Sequence, residues 1–266
     1  MSRTASESKS EKYHVPALEK SLNIFEYLVR TGGRKLGEIC EELDISKTTA
    51  YSILKNLEGL DYIYCDNGAY RPTLKIFSLG MSIKRQNPGN EEIVQLLKEL
   101  CSRIRETVHF INVLDGKSVL THKIEGPGLI RFASYVGETK ALHLSGAGKA
   151  ALACMPDREI EAYISKPLES RTSNSIADPA ELLDQCRIVR EQGYSLDNEE
   201  GEKGVFCIGV PVYIYGGEVY AGLSASMLKA NIDEESKERY IRLMIEYGER
   251  LSRTLGYKDE YPKKWN

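Results

Sequence analysis

The sequence predicts an α+β protein of two domains: a small N-terminal domain of three helices and a β-hairpin, and a larger C-terminal domain around a mostly antiparallel sheet. Three observations lead to this prediction. The 266 residues exceed one ordinary small domain. Apolar residues recur at helical spacing through residues 17–57. Beyond residue 108, strand-like runs joined by turn residues become frequent, and helical stretches are mixed among them.

The N-terminal helices and hairpin are each marked by their own start and stop residues. Gly32-Gly33 breaks the first helix, and Ser46 is a good N-cap for the third. Asp66-Asn67-Gly68 is a strong hairpin turn between two strand-like runs. This order is typical of a winged helix-turn-helix, and a generic small helical subdomain is the alternative. The expected bounds are residues 17–30, 36–45 and 47–60 for the helices and 62–72 for the hairpin.

The third helix carries the residue types that a DNA-reading helix needs. Its polar face offers hydroxyls and lysines, which suit phosphates and base edges, and no carboxylate precedes Glu58. Each residue taken alone could belong to a solvated helix face. The expected DNA contacts are Ser46, Lys47, Thr48, Thr49, Tyr51, Ser52 and Lys55, with Arg71 on the hairpin and Arg34 before the second helix reaching phosphates.

The rest of the chain divides into a linker and a mixed domain. We expect residues 1–14 to form a disordered arm, 15–73 the winged domain, 74–87 a linker helix and 88–266 the second domain. In that domain, the pattern predicts helices over residues 91–107, 146–155, 179–192 and 235–255. It also predicts strands over residues 109–114, 118–124, 130–134, 206–213 and 219–226.

Composition excludes several classes of protein. No apolar run approaches the roughly 18 residues of a membrane span, and the polar first 14 residues do not resemble a secretory signal, so a cytoplasmic location is expected. Six cysteines without a CxxC pair suggest buried free thiols, and the four histidines show no metal-binding spacing, so neither metal nor cofactor is expected. The net charge is +2 over residues 1–87 (13 basic, 11 acidic) and −5 beyond (23 basic, 28 acidic), which alone decides nothing.

The sequence leaves two alternatives to a DNA-binding function. An enzyme would use Cys207 as a reactive thiol, with His143 or His109 as base. The sequence lacks a GxSxG elbow and a Walker loop, and Cys207 lies in an apolar strand, not at a helix N-terminus. A ligand-binding module that pairs with protein instead of DNA is the third class, and the chemistry of the third helix argues against it.

Four stretches together resemble the IclR family of bacterial regulators, and the resemblance covers about residues 15–256. The first is ALEKSLNIFEYL with LGEICEELDISKTTAYSILKNLEGLDYI in the winged domain. The others are LHLSGAGKAALA at 142–153, GYSLDNEEGEKGVFCIGVPVY at 193–213 and GLSAS at 222–226. The chain departs from the family at Ser52, where an arginine or other long polar residue is usual, and at GETKA (137–141), where GxRxP is frequent.

The resemblance implies a metabolite-responsive regulator that binds double-stranded operator DNA as a homodimer or homotetramer, a repressor of a catabolic operon. It implies a GAF-like effector-binding domain whose ligand is a small organic acid or sugar acid. The implied effector residues are Phe132, Gly146, Ala147, Asp197, Cys207, Ser224 and Ser226.

Elementary chemistry agrees with this pocket. Gly146-Ala147 begin a helix, where free N–H groups favour a carboxylate, and Ser224 and Ser226 share one face of a strand. Asp197 would repel an anion unless a ligand hydroxyl intervenes, so a hydroxy acid or hydrated keto acid is expected. Without the resemblance, Cys207 would be a core residue, Asp197 a solvated acidic turn and Gly146 a packing glycine.

Overall fold

A computed structural model describes residues 15–86 and 90–263, with the backbone alone for residues 81, 83–86 and 90. The arm expected over residues 1–14 lies outside the described residues, as do residues 87–89 at the end of the expected linker. The chain divides into two compact units between Pro88 and Gly89. Each unit is described by itself.

The N-terminal unit confirms the predicted helix-turn-helix with its hairpin and adds one short strand. The elements are α1 Pro16–Thr31, β1 Arg34–Lys35, α2 Leu36–Leu43, α3 Lys47–Gly59, β2 Ile63–Asp66, β3 Ala69–Pro72 and α4 Lys75–Gln86. Arg34 and Lys35 pair antiparallel with Tyr70 and Ala69, so the hairpin becomes a sheet of three strands in the order β1-β3-β2.

Capping and burial set the position of α3. The Ser46 hydroxyl accepts a hydrogen bond from the Thr49 N–H at 3.3 Å, which satisfies one of the free N–H groups at the start of the helix. Ala50, Ile53 and Leu54 are buried against Ile24 and Leu28 of α1 and other apolar residues of the unit. The opposite face of α3 is consequently held outward.

The C-terminal unit is built from helices and one antiparallel sheet. The helices are α5 Asn90–Ile104, α6 Gly146–Ala153, α7 Asp157–Ile164, α8 Pro179–Gln192 and α9 Glu234–Thr254. The strands are β4 Thr107–Leu114, β5 Lys117–Ile124, β6 Thr139–Ala141, β7 Ser195–Asn198, β8 Val205–Tyr213 and β9 Val219–Leu228. They pair in the order β6-β5-β4-β9-β8-β7, which confirms the predicted α+β class and the antiparallel sheet.

The sheet has one apolar face and one polar face because successive side chains of a strand alternate. Val108, Phe110, Ile208 and Leu223 belong to the main core with the buried residues of α5 and α9. His109, Cys207, Ser224 and Ser226 are the alternate positions of the same strands and are buried as well. Buried polar side chains are therefore concentrated on the face that α6 covers.

Several expectations for the second domain were wrong. Residues 130–134 form no strand, because Lys123 donates from Nζ to the carbonyl oxygens of Phe132 and Ser134, at 2.7 and 2.9 Å, in place of a strand ladder. The sheet gains β6 instead, and β7 and α7 were not foreseen. The expected helix over residues 91–107 ends at Ile104, and Thr107 begins β4. In the N-terminal unit, Cys65 is exposed and Cys40 is half-buried, contrary to the expectation of buried thiols.

Candidate effector cavity and DNA-contact surface

Most of the expected DNA residues are exposed in the N-terminal unit. On and before α3, the exposed members are Ser46, Lys47, Thr48, Tyr51, Ser52 and Lys55, whereas Thr49 is half-buried. Thr49 contacts Ser46 through both its N–H and its hydroxyl, the latter with an Oγ–Oγ distance of 2.8 Å. Thr49 therefore holds the start of the helix in addition to any contact with a base.

Three of the basic residues expected to contact DNA have partners within the unit: Lys55, Arg34 and Arg71. Lys55 pairs with Glu58 at 2.6 Å, which raises the pKa of the lysine. Arg34 is half-buried and donates to the carbonyl oxygens of Thr31 and Gly33, at 3.2 and 2.8 Å. Arg71 is exposed and donates to the Gly32 carbonyl at 3.0 Å. The two arginines thus fix the connection after α1, and a DNA contact would have to be made from that position.

A cavity of about 470 Å³ opens on the polar face of the sheet in the C-terminal unit. Six of the seven residues expected to bind an effector line it: Phe132, Ala147, Asp197, Cys207, Ser224 and Ser226. The seventh, Gly146, is buried beneath the wall, where an added Cβ would come within 3.2 Å of the Cys207 Cβ. Residues far apart in the sequence are therefore brought to one cavity of the size that small-molecule sites have.

Helix α6 reaches this position because glycines let its backbone lie directly on the sheet. An added Cβ at Gly209 would collide with the backbone of Gly146, and one at Gly222 with the backbone of Ala147. The Ser145 hydroxyl caps the Gly148 N–H at 3.1 Å. The first turn of α6 consequently brings Ala147 to the cavity wall.

A row of buried polar side chains crosses four strands, and three of its four members line the cavity. Asp197, Cys207, Ser226 and Thr107 occupy paired positions on β7, β8, β9 and β4. The Cys207 Sγ lies 3.2 Å from the Ser226 Oγ. Asp197 is the position paired with Cys207 on the neighbouring strand.

His109 extends this row, and the sequence argument used it only as a candidate base. Its Nδ1 lies 3.1 Å from the Ser226 Oγ and its Nε2 lies 2.9 Å from the Ser134 Oγ. Burial, with smaller effects of the charged Lys123 and Lys140, lowers the pKa of His109 to about 3. The imidazole is therefore neutral at physiological pH. The sequence could not locate it, because its pairing with Ser224 across β4 and β9 depends on the order of the strands.

Asp197 is a buried carboxylate with its own partners. Its Oδ1 accepts from the N–H groups of Glu200 and Gly201, at 2.9 and 3.5 Å. Burial raises its pKa above the ordinary value, against the opposing effects of the two N–H groups, the charge of Lys149 and the Cys207 thiol. It is not the solvated acidic turn that its neighbours in sequence suggested.

Four further charged residues line the cavity, and the sequence argument named none of them as effector contacts. Lys140 pairs with Glu138 at 3.4 Å, and Arg171 pairs through Nε with Glu169 at 2.8 Å. The fourth is Glu202, which is exposed. With Asp197, the lining contains three acidic and two basic side chains, so the cavity is not strongly positive.

The part of the chain that the structure describes contains neither a cluster of metal ligands nor a membrane-spanning helix. Within residues 15–86 and 90–263, no group of three or more His, Cys, Asp or Glu could hold a metal ion. None of the helices built from those same residues is both long and apolar enough to cross a bilayer.

Comparison with known proteins matches both units. The family described as "Bacterial transcriptional regulator IclR C-terminal" matches residues 90–253, and "IclR helix-turn-helix domain" matches residues 17–66. The transcriptional regulator KdgR of Dickeya chrysanthemi is 34% identical over 248 residues, covering 91% of this chain and 81% of the relative. The transcriptional repressor AllR of Escherichia coli K12 is 28% identical over 246 residues, covering 91% of each chain.

A solved structure gives the same result for the fold. The crystal structure of the Thermotoga maritima IclR protein aligns with a TM-score of 0.69 and 31% sequence identity. The alignment covers 92% of this chain and all of that one. Sequence and fold therefore agree over nearly the whole length of the chain.

Proposed function

The chain belongs to the IclR family of bacterial transcriptional regulators, and from that membership we propose that it represses a catabolic operon and releases or retains its operator in response to a small metabolite. It is a DNA-binding transcriptional regulator. Repression is supported by the relative AllR, which is named a repressor. The single observation that carries the metabolite part is the cavity, lined by buried polar side chains from four strands and one helix start.

Operator binding is assigned to the exposed face of α3. That face has no carboxylate before Glu58, and Ser46 and Thr49 hold its first turn in place. Thr48, Tyr51 and Ser52 are exposed there and are the side chains proposed to meet base edges. Lys47 and Lys55 are proposed to meet phosphates, which carry no sequence information.

The test uses operator fragments selected from genomic DNA by the full-length protein, with binding followed by fluorescence anisotropy. Thr48→Ala should lose about 1–3 kcal/mol of discrimination between the selected and a scrambled fragment. Lys47→Ala should weaken both fragments alike and reduce the salt dependence of binding. Lys20→Ala is the matched control, since Lys20 is an exposed lysine on α1. If it weakened operator binding as much as Lys47→Ala, the assignment to α3 would be wrong.

The effector is proposed to be a small organic acid or sugar acid held in the cavity. Ala147 offers a helix-start N–H to an anionic group, and Ser224 and Ser226 offer hydroxyls from one face of β9. A thermal-shift screen of such acids is the first measurement, because a ligand of the folded state raises the melting temperature. Calorimetry then compares the wild type with Ser224→Ala/Ser226→Ala, and equal affinities would place the effector elsewhere.

Regulation without catalysis is the proposed mode of action, and the alternative is a reactive Cys207 thiol. Burial raises the pKa of Cys207 far above its ordinary value, with the Asp197 carboxylate adding to the effect. The thiol is consequently protonated and a poor nucleophile. We also propose a homodimer or homotetramer in the cytoplasm, because paired half-sites multiply the few base contacts that one winged unit makes.

A further inference from the structure

The cavity has a buried end and an open end, which differ in chemistry. Ala147, Asp197 and Ser226 belong to the buried end, where they offer hydrogen-bonding groups and one carboxylate. Arg171 and Lys140 belong to the open end, and 40% of the Arg171 side chain is exposed. An effector that extends from the buried end to the open end therefore meets a charged cation only near the solvent.

Arg171 lies in a loop, residues 169–175, that is tied to the segment holding Asp197. The Ser175 hydroxyl accepts from the Arg171 N–H at 2.9 Å and donates to the Glu200 carbonyl oxygen at 2.6 Å. The Glu200 N–H in turn donates to the Asp197 carboxylate at 2.9 Å. Three hydrogen bonds thus connect the arginine of the open end to the carboxylate of the buried end.

The beginning of the same loop has a second attachment. The Glu169 carbonyl oxygen lies 2.8 Å from Nε2 of the buried His143, whose Nδ1 lies 2.6 Å from the Tyr163 hydroxyl. Hydrogen bonds therefore hold both ends of the loop, and the backbone of Arg171 has a defined position at the cavity. A side chain that extends from a fixed backbone loses less freedom when it binds a ligand.

The guanidinium of Arg171 keeps its two terminal nitrogens available to a ligand. Its Nε donates to Glu169 Oε1 at 2.8 Å, and the Glu169 side chain lies outside the cavity lining. Among the residues that the structure describes, none accepts a hydrogen bond from Nη1 or Nη2 of Arg171. The two Nη groups of an arginine can bind both oxygens of one carboxylate, which gives strong binding in a defined geometry.

Lys140 is the other cation of the described cavity lining, and it suits a ligand carboxylate less well. Its partner Glu138, at 3.4 Å, lines the cavity too, so a carboxylate placed at Lys140 would be repelled by Glu138. Three acidic and two basic side chains line the cavity in the described part of the chain. This balance disfavours a doubly charged phosphate more than a singly charged carboxylate.

We propose that Arg171 is a specificity-determining residue that binds a second carboxylate of the effector, so that the cavity selects a hydroxylated dicarboxylic acid over the monocarboxylic acid of the same carbon chain. One carboxylate lies at the start of α6, beside Ala147, and the other lies at the open end. The hydroxyls between them meet Asp197 and Ser226. The inference rests on the effector role proposed for the cavity and names the ligand class within it.

Calorimetry on the full chain tests the ligand class with matched pairs of sugar acids. An aldaric acid has a carboxylate at both ends, whereas the aldonic acid of the same carbon chain ends in a hydroxymethyl group. The pairs are tartrate with threonate, xylarate with xylonate, and glucarate with gluconate. In at least one pair, the aldaric acid should bind about tenfold or more tightly, because a charged bidentate contact replaces a neutral hydrogen bond. Equal affinities within every pair, or no binding of any aldaric acid, would overturn the inference.

Variants of Arg171 separate a ligand contact from a purely structural role. Arg171→Gln has no charge to offer, so it should weaken the preferred aldaric acid about tenfold and leave the matching aldonic acid within about twofold of the wild type. Arg171→Lys keeps the charge without the paired Nη groups and should bind the aldaric acid with an intermediate affinity. A variant that only distorted the cavity would weaken both acids alike, and that result in Arg171→Gln would refute the assignment.

Arg187→Gln is the matched control, and operator affinity without ligand is measured in parallel. Arg187 is an exposed arginine of α8 that pairs with Asp184 at 2.6 Å and lies outside the cavity lining. Its loss should change neither affinity. If it weakened the aldaric acid as much as Arg171→Gln, the effect would come from net charge and the role of Arg171 would be refuted. Binding of aldonic acids without any preference for aldaric acids would overturn this inference alone and leave the effector role of the cavity standing.

Discussion

Lys149 and Glu200 form an ion pair inside the C-terminal unit, with the lysine Nζ 2.6 Å from Oε1 and 2.5 Å from Oε2 of the glutamate. Only 2% of the lysine side chain and 11% of the glutamate side chain are exposed. Lys149 comes from α6, and Glu200 follows β7 in the loop whose N–H groups bind Asp197. The pair therefore joins the cavity's helix to the segment that holds its carboxylate.

Removal of one partner should destabilise the protein strongly. Lys149→Met leaves Glu200 buried without its cation, and burial already raises the pKa of this glutamate. We expect a loss of about 3–5 kcal/mol in the free energy of unfolding, measured by urea denaturation at pH 7. Lys237→Met removes the half-buried partner of the exposed Glu234 and should cost under about 1 kcal/mol.

A variant that loses both charges of the ion pair should be more stable than the variant that loses only one. Lys149→Met/Glu200→Gln removes both charges, so it should recover part of the stability lost in Lys149→Met. If the double variant lost the sum of the free energies of unfolding lost in Lys149→Met and in Glu200→Gln alone, the two charges would be acting independently. The ion-pair argument would then be wrong.

Effector affinity should fall as the solution is made acidic, because Asp197 takes up a proton. Burial raises the pKa of this carboxyl, so the proton binds at a higher pH than for an ordinary aspartate. Protonation removes the charge of Asp197 and turns one of its oxygens into a donor, so it accepts a ligand hydroxyl less strongly. The measurement is the dissociation constant of a hydroxy acid found in the screen, from pH 7.5 downwards, with circular dichroism confirming the fold at each pH.

Loss of fold is not expected to imitate this effect. A carboxyl whose pKa is raised on folding favours the folded state as pH falls, so protonation of Asp197 does not itself unfold the protein. Hydrogen bonds from Arg250 and Tyr247 hold the pKa of Glu99 at about 2. The Glu99–Arg250 ion pair therefore persists to a lower pH than the one at which Asp197 takes up its proton. Asp197→Asn should bind with little dependence on pH, and a pH dependence equal to that of the wild type would contradict the role of Asp197.

The six thiols should differ sharply in reactivity. Cys65 is exposed, whereas burial raises the pKa of Cys154 and Cys186 to about 11 and that of Cys207 still higher. A disulfide reagent at pH 7.5 should therefore label Cys65 first, and Cys65→Ser should remove the fast phase. Fast labelling of Cys207, identified by peptide mass, would revive the reactive-thiol alternative.

The sequence predicted those elements whose signals are local. Ser145 followed by small residues indicates the start of α6, and alternation of large and small residues indicates β8, so both were expected near their observed bounds. The strand β7 was missed because Asp197 stands in an acidic run that is typical of a turn. Only its pairing with β8 and the distant Lys149 bury that run.

The cavity residues also differ in whether the sequence could identify them. The resemblance to the family supplied Asp197, Cys207, Ser224 and Ser226, and strand alternation adds that the two serines share one face. His109 was missed as a cavity residue because its partners, Ser134 and Ser226, are 25 and 117 residues away in the sequence. Contacts of that length depend on sheet order, which no local pattern contains.

Coupling between effector and operator should depend on a continuous helix after the winged unit. The backbone is helical over Lys75–Gln86. Leu74 before the helix, and Phe77 and Leu79 within it, expose large apolar side chains, as expected of a segment that packs against a partner.

We expect that inserting two glycines after Gln86 leaves operator affinity without ligand, and ligand affinity without operator, within about twofold of the wild type. A ligand acts only through its differential affinity for the operator-binding states, and a flexible joint removes that difference. The measurement is operator affinity by anisotropy with and without a saturating hydroxy acid found in the screen. An insertion of two alanines, which continues a helix, is the control for added length. Should the acid shift operator affinity equally in the glycine variant and the wild type, rigid transmission through this helix would be excluded.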